Sequence, residues 1–170
     1  MATKADFTPD EWQLLLESPL LAGVAVTAAE PSGLFGMLKE GMASARALAQ
    51  AKADPNTDTL VKEVVGAFET QEGRGLVQQG MSATVSGVKA PTEIVSKALD
   101  SLHQVSDLLD AKAGKDSEPF KNWLAGIAKS VAEASSEGGF LGFGGKQVSD
   151  AEKATVGQIA GALRVPTPLT

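Results

Sequence analysis

Between Pro19 and Glu30 the chain reads Pro-Leu-Leu-Ala-Gly-Val-Ala-Val-Thr-Ala-Ala-Glu, a segment that is apolar on nearly every side when wound as a helix. A helix without a polar face has no stable place on a surface, so this one belongs at the centre of a bundle. The unbroken apolar run, Leu20 to Ala29, is about half of the ~20 residues that a membrane-spanning helix requires. The expectation is therefore an interior helix wrapped by others and no transmembrane segment.

Composition agrees with helices. Of 170 residues, 43% are hydrophobic and only 5% aromatic, with no tyrosine. A core of Ala, Leu and Val with close-packing Gly suits helices better than sheets, which favour β-branched and aromatic residues. The length fits one domain with a real core, expected over residues 1–165 with a loose tail at 166–170. Cysteine is absent, which excludes disulfides, thiol catalysis and Cys-type zinc sites and accords with a cytoplasmic setting. The start of the chain, Met1 to Asp6, lacks the apolar core of a signal peptide. Net charge is −6, and Arg46, Arg74 and Arg164 are the only arginines, so a nucleic-acid partner is not expected.

Local signals divide the chain into about six to eight helices. Thr8-Pro9-Asp10-Glu11 is a capping box with proline at the first helical position, and Phe7 is placed to staple against Trp12. Pro19 either ends this helix or opens the next with Ser18 as its cap. Pro31-Ser32-Gly33 breaks the chain, and a third helix runs to about Ala53, where Asp54-Pro55-Asn56 stops it. From Asp58 the residues Val61, Val64, Val65 and Phe68 form a stripe that Gly73-Arg74-Gly75 is expected to interrupt before Val77 and Met81 resume it. Pro91 opens a helix with Val95, Leu99, Leu102, Val105 and Leu109 on one face. Ser117 is expected to cap the next helix, with Phe120, Trp123, Leu124, Ile127, Ala128 and Val131 inward. Ser149-Asp150-Ala151-Glu152 is a second capping box, starting a helix with Val156, Ile159, Ala160 and Leu163 inward. Gly157 and Gly161 offer that helix a smooth strip for close packing within the chain.

Two stretches nearly repeat. Leu21-Ala22-Gly23-Val24-Ala25 returns as Leu124-Ala125-Gly126-Ile127-Ala128. Each leads to a glycine-flanked apolar turn, Gly33-Leu34-Phe35-Gly36 or Gly139-Phe140-Leu141-Gly142, followed by Lys39 or Lys146. The reading is an all-α bundle with two related helix-turn units, near 19–39 and 120–146. The turn residues Leu34, Phe35, Phe140, Leu141 and Phe143 either fold back onto the core or form a contact surface for a partner or a second copy.

Catalytic constellations are missing. His103 is the only histidine, and no nucleophile-elbow pattern accompanies the serines. The loop ending at Lys146 departs from the phosphate-binding motif: Phe140 stands where its first glycine belongs, and Gln147 follows the lysine. No cofactor and no metal-ligand set is expected. Asp150 and Glu152 are explained by capping and the helix dipole.

The stretch 120–163 combines an alanine-rich helix, a loop Gly138-Gly139-Phe140-Leu141-Gly142-Phe143-Gly144-Gly145 and a start Val148-Ser149-Asp150-Ala151-Glu152. In this order it resembles uncharacterised bacterial all-helical proteins and is loosely similar to TerB-like tellurite-resistance domains. That resemblance implies an all-helical fold of related halves and a stress-associated, metal-binding role. The TerB-like turn carries an Asp-Gly pair tied to its metal. Here Glu137-Gly138-Gly139 and Glu30-Pro31-Ser32 occupy those turns, so no residue is carried over as a ligand. The expected function is a non-enzymatic cytoplasmic module that binds another macromolecule or itself, with the TerB-like metal-binding domain as the alternative.

Overall fold

A computed structural model describes residues 1–29, 34–136 and 148–168, the side chains of 34–43 and 135–136 excepted. Among these residues there are seven α-helices, two short 3-10 turns and no strand. The helices are α1 (Pro9–Ala29), α2 (Leu34–Ala53), α3 (Thr59–Ala67), α4 (Gln71–Val85), α5 (Pro91–Lys112), α6 (Ser117–Ser136) and α7 (Asp150–Leu163). The all-α bundle expected from composition and periodicity is the fold observed.

Helix α1 is the axis of the molecule and packs against every other α-helix. It is the one described helix long and apolar enough, by length and composition, to cross a membrane, yet most of that surface is buried in the bundle. Its start follows the local code. Thr8 N–H donates to Glu11 Oε2 at 2.7 Å, and Glu11 N–H donates to Thr8 Oγ1 at 3.3 Å. The Phe7 and Trp12 rings close the staple at 6.4 Å.

Pro19 neither ends α1 nor starts a new helix; it lies inside a continuous one. A proline there removes the N–H that would bond the carbonyl four residues back, that of Leu15. The buried Ser18 hydroxyl donates to that carbonyl at 2.8 Å, so the acceptor is not left bare. The residue read as a possible cap is the one that lets the helix continue.

Two other local expectations change for tertiary reasons. Gly73 and Gly75 do not interrupt a helix; they sit in the first turns of α4, and the break falls at 68–70. Thr70 caps α4 by accepting from the Gly73 N–H at 2.9 Å. A Cβ on Gly73 would lie 2.2 Å from the Ala67 carbonyl oxygen, so glycine serves a close approach of α3 to α4. Ser117 is the first residue of α6 and not its cap, because its hydroxyl donates to Asp110 Oδ1 at 2.8 Å.

The second capping box forms as expected, Ser149 N–H to Glu152 Oε2 at 2.8 Å and Glu152 N–H to Ser149 Oγ at 3.1 Å. Val156, Ile159, Ala160 and Leu163 are buried. Among the described residues nothing packs on the Gly157–Gly161 strip: no described atom lies within 4 Å of a Cβ built at either position. The buried face of α7 lies on the opposite side of the helix from them. Arg164 ends α7 in the left-handed conformation, φ 57°, a place usually given to glycine. Its guanidinium reaches Asp107 at 2.6 Å and Asp110 at 3.2 Å on α5.

In the recurring segments, Leu21, Ala22 and Ala25 of α1 and Leu124, Ala125 and Ala128 of α6 are all buried. Residues 34–36 form the first turn of α2 instead of a separate turn, and 137–147, with the second apolar turn, lie outside the described residues.

Candidate functional site

The flank of α1 that carries its polar residues is a stripe stepping by four and three: Gln13, Glu17, Leu20, Val24 and Thr27. Helices α2 and α4 both pack on α1, and between them a groove of about 460 Å³ stays open over this stripe. Its apolar lining comes from four elements: Leu20 and Val24 of α1, Leu48 of α2, Phe68 after α3, and Val77 and Met81 of α4. All but Val77 are half-buried, so they are packed from behind and bare in front.

Two close approaches shape the groove. A Cβ on Gly23 would lie 2.7 Å from Ser44 Oγ, so α2 crosses α1 tightly at its floor. A Cβ on Gly80 would lie 1.5 Å from Glu17 Oε1, so the Glu17 carboxyl occupies the place of the missing side chain. Burial pushes that carboxyl above the usual glutamate range, against a hydrogen bond with Gln13 that works the other way.

Arg74 is the one charged side chain among the described residues lining the groove. Its Nη1 donates to the carbonyls of Phe68 at 3.1 Å and Glu69 at 2.9 Å, which are exposed acceptors just past the end of α3. The same interaction fixes the guanidinium at the groove edge. The nearby Glu69 carboxylate is taken by Lys52.

Other polar places are satisfied internally. On α5, Asp110 accepts from Lys121 Nζ at 2.5 Å and Ser117 Oγ at 2.8 Å, and these bonds hold its carboxyl below the usual range. His103 is exposed, 3.8 Å from Asp107 and 3.4 Å from Arg164. The Ser117 hydroxyl faces a paired carboxylate, which makes this a brace between α5, α6 and the end of α7. Buried Asp116 accepts the Ala2 N–H, and burial followed by the neighbouring Asp116 raises Asp58. Among the described residues, no group of three or more Asp, Glu or His could hold a metal ion.

A second cleft of about 680 Å³ lies along the junction of α2 and α6. Its walls mix Ala47, Ala51, Ala53 and Ile127 with Gln50, Asp54, Thr57 and Ser130, so it is more polar than the groove over α1. Trp123 borders it, and its buried indole N–H has no partner among the described residues.

Of the contact residues expected from sequence, Leu34 and Phe35 belong to the first turn of α2, with side chains outside the described set. Phe140, Leu141 and Phe143 lie outside it altogether, as do Glu30 and Glu137. The groove residues were not singled out from sequence. Phe68, Val77 and Met81 were legible as an apolar stripe, and the α1 side as a stripe in which polar Gln13 and Glu17 lead into Leu20 and Val24, but neither pattern shows that the two face one groove. No protein-family model, no curated protein and no solved structure matches the chain.

Proposed function

We propose that the protein is a non-enzymatic helical interaction module, and that the groove over α1 seats an amphipathic helix of another protein. The observation that supports this reading is the helical spacing of the lining residues on all three walls, half-bare at Leu20, Val24, Thr27, Leu48 and Met81 and buried at Ser44 and Val77. Leu20, Val24 and Thr27 line the floor, Ser44 and Leu48 one side, and Val77 and Met81 the other. A docked helix places apolar residues at i, i+4 and i+7 against such ridges. An open furrow of this form suits a rod better than a compact substrate, for which sites are usually more enclosed. A cytoplasmic setting is part of the same proposal and accords with a cysteine-free chain. The TerB-like metal-binding alternative gains no support from the described carboxylates.

A photo-crosslinking residue at Leu48, compared with one at Ser130 in the α2–α6 cleft, tests the reading in the source cells. The expected result is an adduct from position 48 alone, mapped by mass spectrometry to one amphipathic segment of one protein. That adduct should disappear when Val24→Glu is added. Equal adducts from both positions, or adducts that ignore Val24→Glu, would overturn it.

A further inference from the structure

We infer that the groove selects a helix carrying a carboxylate beside its apolar stripe, and that Arg74 reads that acid. This rests on the groove being a helix-docking site, and adds to it the chemistry of the partner. In a chain of net charge −6, the one charged side chain lining the groove among the described residues is a cation. Two carbonyl bonds through Nη1 hold the guanidinium in place while its Nε and Nη2 donors have no partner among the described residues. No carboxylate among those residues lies within ion-pair distance of it. A planar, prepositioned guanidinium beside an apolar trough is suited to bidentate contact with a carboxylate. Docking an apolar helix face would displace water beside the pair and strengthen it. It would equally penalise a partner that places a lysine there. The groove walls decide that a helix docks, and Arg74 decides its charge pattern and direction.

The test uses the whole protein and alanine-based helical peptides of about 18 residues, long enough to hold a helix. Each carries leucine at i, i+4 and i+7, with glutamate, glutamine or lysine on either flank of that stripe. Affinity is read by fluorescence anisotropy. One glutamate peptide should bind about fivefold to tenfold more tightly than its glutamine counterpart. The advantage should vanish in Arg74→Gln, and the lysine peptide should become preferred in Arg74→Glu. A reversed preference cannot come from a variant that merely folds poorly, so the charge swap keeps the test decisive. Equal binding of all peptides to the unaltered protein would overturn the charge selection and leave the docking groove standing. Absence of binding, or binding that ignores Leu48→Glu, would overturn both. If dodecanoate bound more tightly than any peptide and depended on Arg74 in the same way, the occupant would be an acyl carboxylate and the helix assignment would fall.

Discussion

The two flanks of α1 both carry large apolar residues and live in different surroundings. On one, Leu15, Ala22, Ala25 and Val26 are at most 1% exposed. On the other, Leu20, Val24 and Thr27 are half-bare, because α2 and α4 stand apart above them. Local sequence separates these flanks only in part: Gln13, Glu17 and Thr27 mark one as the more polar, but Leu20 and Val24 on it are as apolar as Leu15 and Val26 on the other. Coverage is decided by helices far away in the chain. An apolar helix at the centre of a bundle can thus have one side that holds the fold and one side left for something else.

The sharpest way to break this comparison is to truncate matched positions. Leu15→Ala should cost about 2–5 kcal/mol, since it removes contacts from a site that cannot refill. Val24→Ala should cost about 1 kcal/mol or less, because part of its surface is already in water. Urea unfolding of both variants measures the difference. Equal losses would mean that the groove flank is as much a part of the core as the sealed one.

Next in size is a contrast between two glycines of α4. Gly73→Ala pushes a methyl group into the Ala67 carbonyl, a backbone atom that cannot swing away. The expected loss is about 1–3 kcal/mol. Gly80→Ala meets only the flexible end of Glu17. The carboxyl can move aside, and alanine gains about 1 kcal/mol of helix propensity over glycine. Thermal melts should show Gly73→Ala clearly destabilised and Gly80→Ala close to unchanged. The reverse order would show that Glu17 is rigidly held and that the groove flank is not soft.

On the sealed flank, Ser18→Ala removes the hydroxyl that serves the Leu15 carbonyl. A buried acceptor left without a donor costs about 1–3 kcal/mol, and the lower end is expected because the change is otherwise small. Adding Pro19→Ala in the same chain should recover most of the loss, because the N–H it supplies takes over the bond. Failure of that rescue would place the role of Ser18 elsewhere.

These positions also show what could be read in advance. The capping boxes at Thr8 and Ser149 and the Phe7–Trp12 staple formed as expected, since each involves neighbours within a few residues. Spacing alone placed Leu102, Val105 and Leu109 of α5, Phe120, Leu124, Ile127, Ala128 and Val131 of α6 and all four residues of α7 inside, while Val95, Leu99 and Trp123, expected inward too, are half-buried. Pro19 misled because the serine that neutralises it also resembles a helix cap. Gly73 misled because its small size answers to Ala67, across a break between two helices, and not to its own turn. The groove was hardest to see: four separate elements line it, and the partners of Arg74 are backbone carbonyls, which no residue pattern marks. The glycine-flanked residues Leu34, Phe35, Phe140, Leu141 and Phe143 drew attention by composition, which says what is unusual in a chain but not where it lies in space.

The smallest expected effect is the most specific to the groove flank. Glu17 is buried against Gly80, with burial holding its carboxyl above the ordinary value of 4.5. The folded state therefore binds this proton more tightly than the unfolded chain does. The stabilising contribution is complete below 4.5, declines as pH rises from there through the raised folded-state value, and is gone above it. Glu17→Gln keeps the size and the hydrogen-bonding capacity toward Gln13 while removing the charge. It should leave stability unchanged near pH 4 and raise it modestly at pH 7, and the pH slope between should flatten relative to the unaltered protein. Denaturation curves at both pH values measure this. A loss at pH 7 would mean that the ionised carboxylate is wanted where it stands, and the groove flank would then carry a second fixed charge opposite in sign to Arg74.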